Sequence, residues 1–237
     1  MELLVKDRRV YAHTGGQDVT PDKPVLVFLH GAGNDHTYWG PQTRFFAHHG
    51  FSVLVPDLPG HGRSDGPVPE TIDDYADWLL RFLDGAGART AVLAGHSMGS
   101  LIALAAAARA PERVSALVLA GPADHMQVHP DLLAATASND PAAWDLITDW
   151  GFGKPAHKGG HQAPGLWFVG GGRALLASGP AGTLGAGMTA CNAWEGAPEA
   201  AGKVACPTLF LLGEADRMTP PSASKGLQAA ISGAKVE

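Results

Sequence analysis

Short runs of Val and Leu recur through the first half of the chain, at Val25–Leu29, Ser52–Pro56, 91–94 and Val114–Ala120. None alternates apolar with polar positions, and unbroken apolar runs of this length predict strands covered on both faces. Between them the period changes. Ile72, Tyr75, Leu79, Phe82 and Leu83 recur at helical spacing behind Thr71-Ile72-Asp73-Asp74. That start resembles a capping box, with an acid where Glu or Gln is usual, and Gly85 and Gly87 close the segment. Residues 101–109 predict a second helix. Strands alternating with helices predict βαβ units, hence an α/β fold with a mostly parallel central sheet and helices on both faces. Residues 3–6 and 9–13 read as a short antiparallel hairpin ahead of it.

The alternation stops after Gly121-Pro122. Residues 122–200 offer only helix-like pieces, at 130–139 and 141–150, and a Gly-rich tract over 151–187 that still holds Trp167, Phe168 and Leu175. Strand character returns at 207–212. The expected organisation is a first core segment over 1–121, a helical, Gly-rich cap insertion over 122–200, and a return to the core over 201–237. The last segment predicts a helix at 222–231, a turn at Ser232-Gly233-Ala234, and the opening of one more core strand at Lys235-Val236-Glu237, expected to be truncated there.

Composition narrows the classes. With 237 residues, 45% hydrophobic and 17% charged, the chain can build a core and lacks the signature of disorder. Seventeen basic against 23 acidic residues give a net charge of −6, with no basic run to track a phosphate backbone, so nucleic acid is not an expected partner. The longest aliphatic stretch, 101–108, falls well short of the roughly 18 residues a membrane span needs. The N-terminus lacks the basic and apolar regions of a secretory signal. Cys191 and Cys206 are too few for a disulfide framework. A cytoplasmic protein acting on a small molecule, without membrane association, is expected.

Two glycine-rich turns carry the candidate chemistry. Gly95-His96-Ser97-Met98-Gly99 is a G-x-S-x-G between a predicted strand and a predicted helix. There a serine is lifted off the sheet at a helix N-terminus, and the Met98 N–H faces the position of a tetrahedral oxyanion. His30-Gly31-Ala32-Gly33 follows the strand Val25–Leu29, and the Ala32 N–H can serve as a second oxyanion donor.

These two turns, together with Pro56-Asp57-Leu58-Pro59-Gly60-His61-Gly62-Arg63-Ser64-Asp65-Gly66, resemble the α/β-hydrolase superfamily, in the order that superfamily uses. The resemblance covers about 25–120 well and 207–221 moderately. It implies Ser97 as nucleophile and Asp216, in Gly213-Glu214-Ala215-Asp216, as the acid that orients a histidine. Asp124 stands at an alternative acid position. His30 is implied to brace its loop, and Asp57, His61 and Asp65 to pack and hydrogen-bond. The resemblance implies no metal and no organic cofactor. Ser97 at the elbow argues against the branches whose nucleophile is an aspartate.

The same resemblance places the base after the acid in the chain, and no histidine follows His161. The implied position lies just beyond the strand opening at Lys235. The sequence is therefore expected to be a fragment that stops before its base, with a natural base-less homologue as the alternative. His96 adjoins Ser97 but is expected to point away from its hydroxyl. His125 and His129 open the cap and could overhang a pocket. His157 and His161 are four apart without a third ligand, which disfavours a metal. His13, His36, His48 and His49 read as surface or helix positions. Trp39 and Met126, with Trp144, Trp150 and Trp167, are candidates to line an apolar acyl pocket. The expected activity is hydrolysis of a small carboxylic ester through an acyl-enzyme. A C–C hydrolase, a lyase, a cofactor-free haloperoxidase or a non-catalytic binding protein are the alternatives.

Overall fold

The computed structural model describes residues 1–158 and 166–237. Its eight strands are β1 (Glu2–Val5), β2 (Arg8–His13), β3 (Val25–Leu29), β4 (Ser52–Pro56), β5 (Ala91–His96), β6 (Val114–Ala120), β7 (Thr208–Leu211) and β8 (Lys235–Val236). They form one sheet in the order β1-β2-β4-β3-β5-β6-β7-β8. The hairpin of β1 and β2 is antiparallel and joins β4 antiparallel, while every pairing from β4 to β8 is parallel. Lys6 and Asp7 turn the hairpin at φ 49° and 60°, the left-handed pair that a two-residue loop requires. The expected strand at 235–237 forms two residues of ladder, with Leu209 opposite Lys235 and Phe210 opposite Val236.

Among the described residues ten α-helices connect these strands: α1 (Gly40–Ala47), α2 (Ile72–Gly85), α3 (Met98–Arg109), α4 (Pro130–Ala137), α5 (Ala142–Gly151), α6 (Lys154–His157), α7 (Phe168–Ser178), α8 (Thr183–Ala193), α9 (Ala197–Ala201) and α10 (Lys225–Ala230). Helix α2 starts where its cap predicts. Thr71 Oγ accepts from the Asp74 N–H at 3.0 Å and donates to the Asp74 carboxylate at 2.6 Å. Helix α3 is buried from Met98 to Ala107, and half of its residues are alanine or glycine, so it presses close against the sheet and α2. One face of the sheet buries Val27, Leu29, Leu54, Leu93, Leu117, Leu119 and Phe210 beneath α2 and α3. The other buries Leu26, Phe28, Val53, Val55 and Ala94 together with Trp39 and Ala47. Past β5 this second face is only partly covered, and Leu211 is exposed, while Val236, opposite Phe210 on the first face, is exposed at the sheet edge.

Helices α4 to α9 fall between β6 and β7, and much of the Gly-rich tract is helical in α6, α7 and the start of α8. His161 lies outside the described residues. Among the described residues, no helix is long and apolar enough to cross a membrane.

Candidate active site

Strand β5 ends at His96 and α3 begins at Met98, so Ser97 alone makes the turn between them. It does so at φ 54°, ψ −120°, a conformation that costs a non-glycine residue about 1–3 kcal/mol and persists only where its surroundings enforce it. They do. The Ser97 N–H is held by Ala120 O at 2.9 Å, and Ser97 O takes the Ser100 N–H at 2.8 Å and the Ser100 hydroxyl at 2.6 Å. A Cβ on Gly95 would overlap the backbone of Gly99, with Ser100 N at 2.6 Å, and one on Gly99 would overlap Leu29 O. Only glycine at both sites lets the strand and helix meet this tightly.

Opposite the serine runs the loop after β3. A Cβ placed on Gly31 would stand 3.3 Å from Ser97 Cβ, so Ala32 and the N-terminus of α3 flank the same space. The backbone N–H groups of a first helical turn have no intrahelical partner, which leaves Met98 suited to an oxyanion, with Ala32 beside it. His30 fixes this loop from below: its Nε2 accepts from the Leu58 N–H at 3.1 Å and its Nδ1 donates to Gly31 O at 2.8 Å. Burial, reinforced by nearby His61, pushes its pKa down to about 3, so it stays neutral.

Asp216 follows β7 and lines a small cavity of about 120 Å³ together with Ser97, Ala32, Asn34, Tyr38 and His96. Its Oδ1 accepts from the N–H groups of Met218 (2.8 Å) and Thr219 (3.0 Å), and its Oδ2 from the Thr219 hydroxyl at 2.9 Å. A carboxylate has about four acceptor positions, which leaves room for one more donor. Asp124, the alternative acid, is engaged elsewhere: it accepts from Gly226 N and Leu227 N, both at 2.8 Å, at the start of α10.

A larger cleft of about 540 Å³ opens from Ser97 on the other side, walled by Met126, Val128, Leu132, Trp150 and Met188, with His129 and Arg217 among its polar residues. Met126, a candidate pocket residue, lines this cleft with its sulfur 4.0 Å from Ser97 Oγ. Trp39 does not. It packs on Phe28 with ring centroids 4.8 Å apart, in the core under the sheet. The reason is the tight turn His36–Trp39: at three residues per turn, neighbouring side chains point about 120° apart, so Tyr38 faces the cavity and Trp39 the core. Tyr38 is the residue the sequence reading missed. Its ring stacks on His96 at 4.8 Å, and burial, with the Asp216 charge behind it, pushes its hydroxyl up to about 12. Trp144 lies near Arg173, away from the cleft, and Trp167 is exposed.

Among the described residues, no imidazole nitrogen is within hydrogen-bond distance of Ser97 Oγ. His125 contacts Asn192 O, His129 caps α4 by accepting from the Asp131 N–H, and His157 contacts Phe152 O. Burial pushes His96 down to about 4, and its Nδ1 is buried without a partner. His36, expected at a surface or helix position, opens the turn His36–Trp39 and bonds Asp57 at 2.8 Å. That carboxylate also takes the N–H groups of His36 and Arg63, and Asp65 takes that of Arg9.

Residues 24–157, more than half the chain, match the family model described as the alpha/beta hydrolase fold. The chain belongs to the α/β-hydrolase family. This α/β-hydrolase is 35% identical over 142 residues to lipase LipV of Mycobacterium tuberculosis, a match covering 52% of this chain and 53% of the lipase. It is 37% identical over 114 residues to the pimeloyl-[acyl-carrier protein] methyl ester esterase of Aromatoleum aromaticum, covering 48% of this chain and 43% of the esterase. The chain thus spans about half the length of these curated relatives. Among solved structures, the enol-lactonase of Burkholderia xenovorans superposes with a TM-score of 0.88 at 22% identity, over 100% of this chain and 90% of that one, a likeness of fold.

Proposed function

We propose that this α/β-hydrolase cleaves small carboxylic esters through an acyl-enzyme on Ser97. The observation that carries the reading is the strained Ser97 turn, held at the junction of two cavities beside Asp216. Ser97 Oγ attacks the acyl carbon, and the N–H groups of Met98 and Ala32 hold the oxyanion. In the native gene product the Ser97 proton passes to a histidine base that follows Asp216 in the chain, and Asp216 orients it with its free acceptor position. That proton leaves with the alcohol as the acyl–oxygen bond breaks. Water, deprotonated by the same base, then attacks the acyl-enzyme and frees the acid and Ser97. No step draws on a metal or an organic cofactor. A lipase and a methyl ester esterase stand among the relatives beside a putative non-heme haloperoxidase and a 2-hydroxy-6-oxononadienedioate hydrolase, and ester cleavage is preferred here because it needs the fewest further assumptions. Two free thiols, Cys191 and Cys206, support a reducing compartment, and we extend the proposal to a cytoplasmic enzyme.

The test is made on the native gene product, its C-terminus defined by mass and by reading the gene past codon 237. A fluorophosphonate should label it, and Ser97→Ala should abolish both labelling and hydrolysis of p-nitrophenyl esters, a loss of about 10⁶-fold in kcat when the base is present. Labelling that survives Ser97→Ala overturns the assignment. A native product without a suitably placed histidine overturns the mechanism.

A further inference from the structure

The larger cleft contains one guanidinium, that of Arg217, and its carboxylate partner is a poor one. Asp149 Oδ2 lies 3.8 Å away, outside hydrogen-bond distance, on an exposed pair. Arg109, Arg113 and Arg173 differ: each hydrogen-bonds a carboxylate at 2.9 Å or less. Among the described residues the Arg217 fork makes no side-chain hydrogen bond, so its five donors are available. Its backbone is nonetheless fixed. The Arg217 N–H donates to Trp150 O at 2.9 Å, and the chain on either side is held by the turn in which Asp216 accepts from Met218 and Thr219. The same turn that positions the candidate acid therefore sets a cation on the cleft that opens from Ser97. The other walls, Met126, Val128, Leu132, Trp150 and Met188, are largely apolar, and no carboxylate among the described residues lines the cleft.

We infer that Arg217 selects substrates whose acyl chain carries a carboxylate at the end away from the scissile carbonyl. This rests on the ester-hydrolase reading and narrows its substrate class. The planar fork suits a carboxylate in a two-point contact that a lysine reproduces only as a point charge. The apolar walls take the methylene chain between the two ends. Entry of the carboxylate displaces only the long contact with Asp149, so little is lost in exchange.

The test has a kinetic and a binding arm. In the first, the native gene product is given p-nitrophenyl monoesters of straight-chain dicarboxylic acids of increasing length, beside esters of the matching monocarboxylic acids. At one chain length the ratio of kcat/KM, charged over neutral, should exceed one by about tenfold or more, mainly through KM, and shrink with added salt. Arg217→Gln should bring the ratio to about one, and Arg217→Lys should restore part of it. A ratio at or below one at every length, or one that Arg217→Gln leaves unchanged, overturns the inference. In the second arm, calorimetry compares adipate with hexanoate on the Ser97→Ala variant, which needs no turnover. Adipate binding tighter than hexanoate, and weakened by adding Arg217→Gln, supports the inference even if the hydrolase reading fails. Equal binding of the two acids overturns it while leaving that reading intact.

Discussion

Ser97 sits where glycine would be more comfortable, and its stability effect can be separated from its chemistry. At φ 54°, ψ −120° a side chain is strained whatever its polarity, so Ser97→Ala removes the hydroxyl and keeps the strain, whereas Ser97→Gly removes both. We expect Ser97→Gly to be more stable than Ser97→Ala by about 1 kcal/mol in urea unfolding, although both lose fluorophosphonate labelling. Equal stabilities would mean the turn is not strained. The serine itself was legible from its flanking glycines and its place between strand and helix. The direction of Trp39 was not, because the run His36–Trp39 carries no periodic signal and three residues per turn can be read only once the turn is known. Nor was the His36–Asp57 bond, which joins residues 21 apart through a loop whose path the chain does not announce.

At the scale of elements, local signals that agree with burial were read well. Strands β3, β4 and β6 have the bounds their apolar runs predict, and α2 begins one residue after its Thr71 cap. Helix α3 starts at Met98 rather than 101, because the turn at Ser97 is too tight to leave a loop. Helix α1 went unread, since Gly40-Pro41 at its start looks like a turn and Phe45 on its surface is exposed. Of the two acids weighed from sequence, their elements separate the roles. Asp124 holds the first turn of α10 through two N–H groups, and that turn buries Leu227 in the main core. Asp124→Ala should therefore lower stability by about 1–2 kcal/mol, as loss of a helix cap does, with kcat/KM little changed. Asp216→Asn should lower kcat sharply and leave the thermal midpoint nearly in place. Thermal melts and ester kinetics on the two variants check this, and a reversed pattern would exchange the assignments.

The whole molecule carries its histidines unevenly. Burial holds His13, His30, His61 and His96 below the ordinary imidazole value, His30 at about 3, whereas the hydrogen bond to Asp57 raises His36. The unfolded chain takes protons near pH 6.5 that the buried rings refuse, so below that pH the unfolded state gains and folding stability falls. His36 acts in the opposite sense: its contribution is complete below about pH 6.5 and is lost as pH rises through its raised value. Four rings outweigh one. The urea midpoint should drop between about pH 7 and about pH 5, with up to about 1.36 kcal/mol per pH unit from each fully buried ring. His30→Gln, which can still donate to Gly31 O and accept from Leu58, should make the slope shallower. A midpoint that holds or rises on acidification would contradict this.

Where α8 crosses the core, Gly187 leaves no room for a methyl group: a Cβ there would stand 2.7 Å from that of Ala32 and 3.0 Å from the Met98 sulfur. One helix of residues 122–200 thus lies directly on the two residues proposed to hold the oxyanion. For anyone exchanging the 122–200 segment to change selectivity, this makes that segment and the loop after β3 a single graft. A foreign segment will seat on this scaffold only if it brings a glycine to face Ala32, or if the loop is transplanted with it.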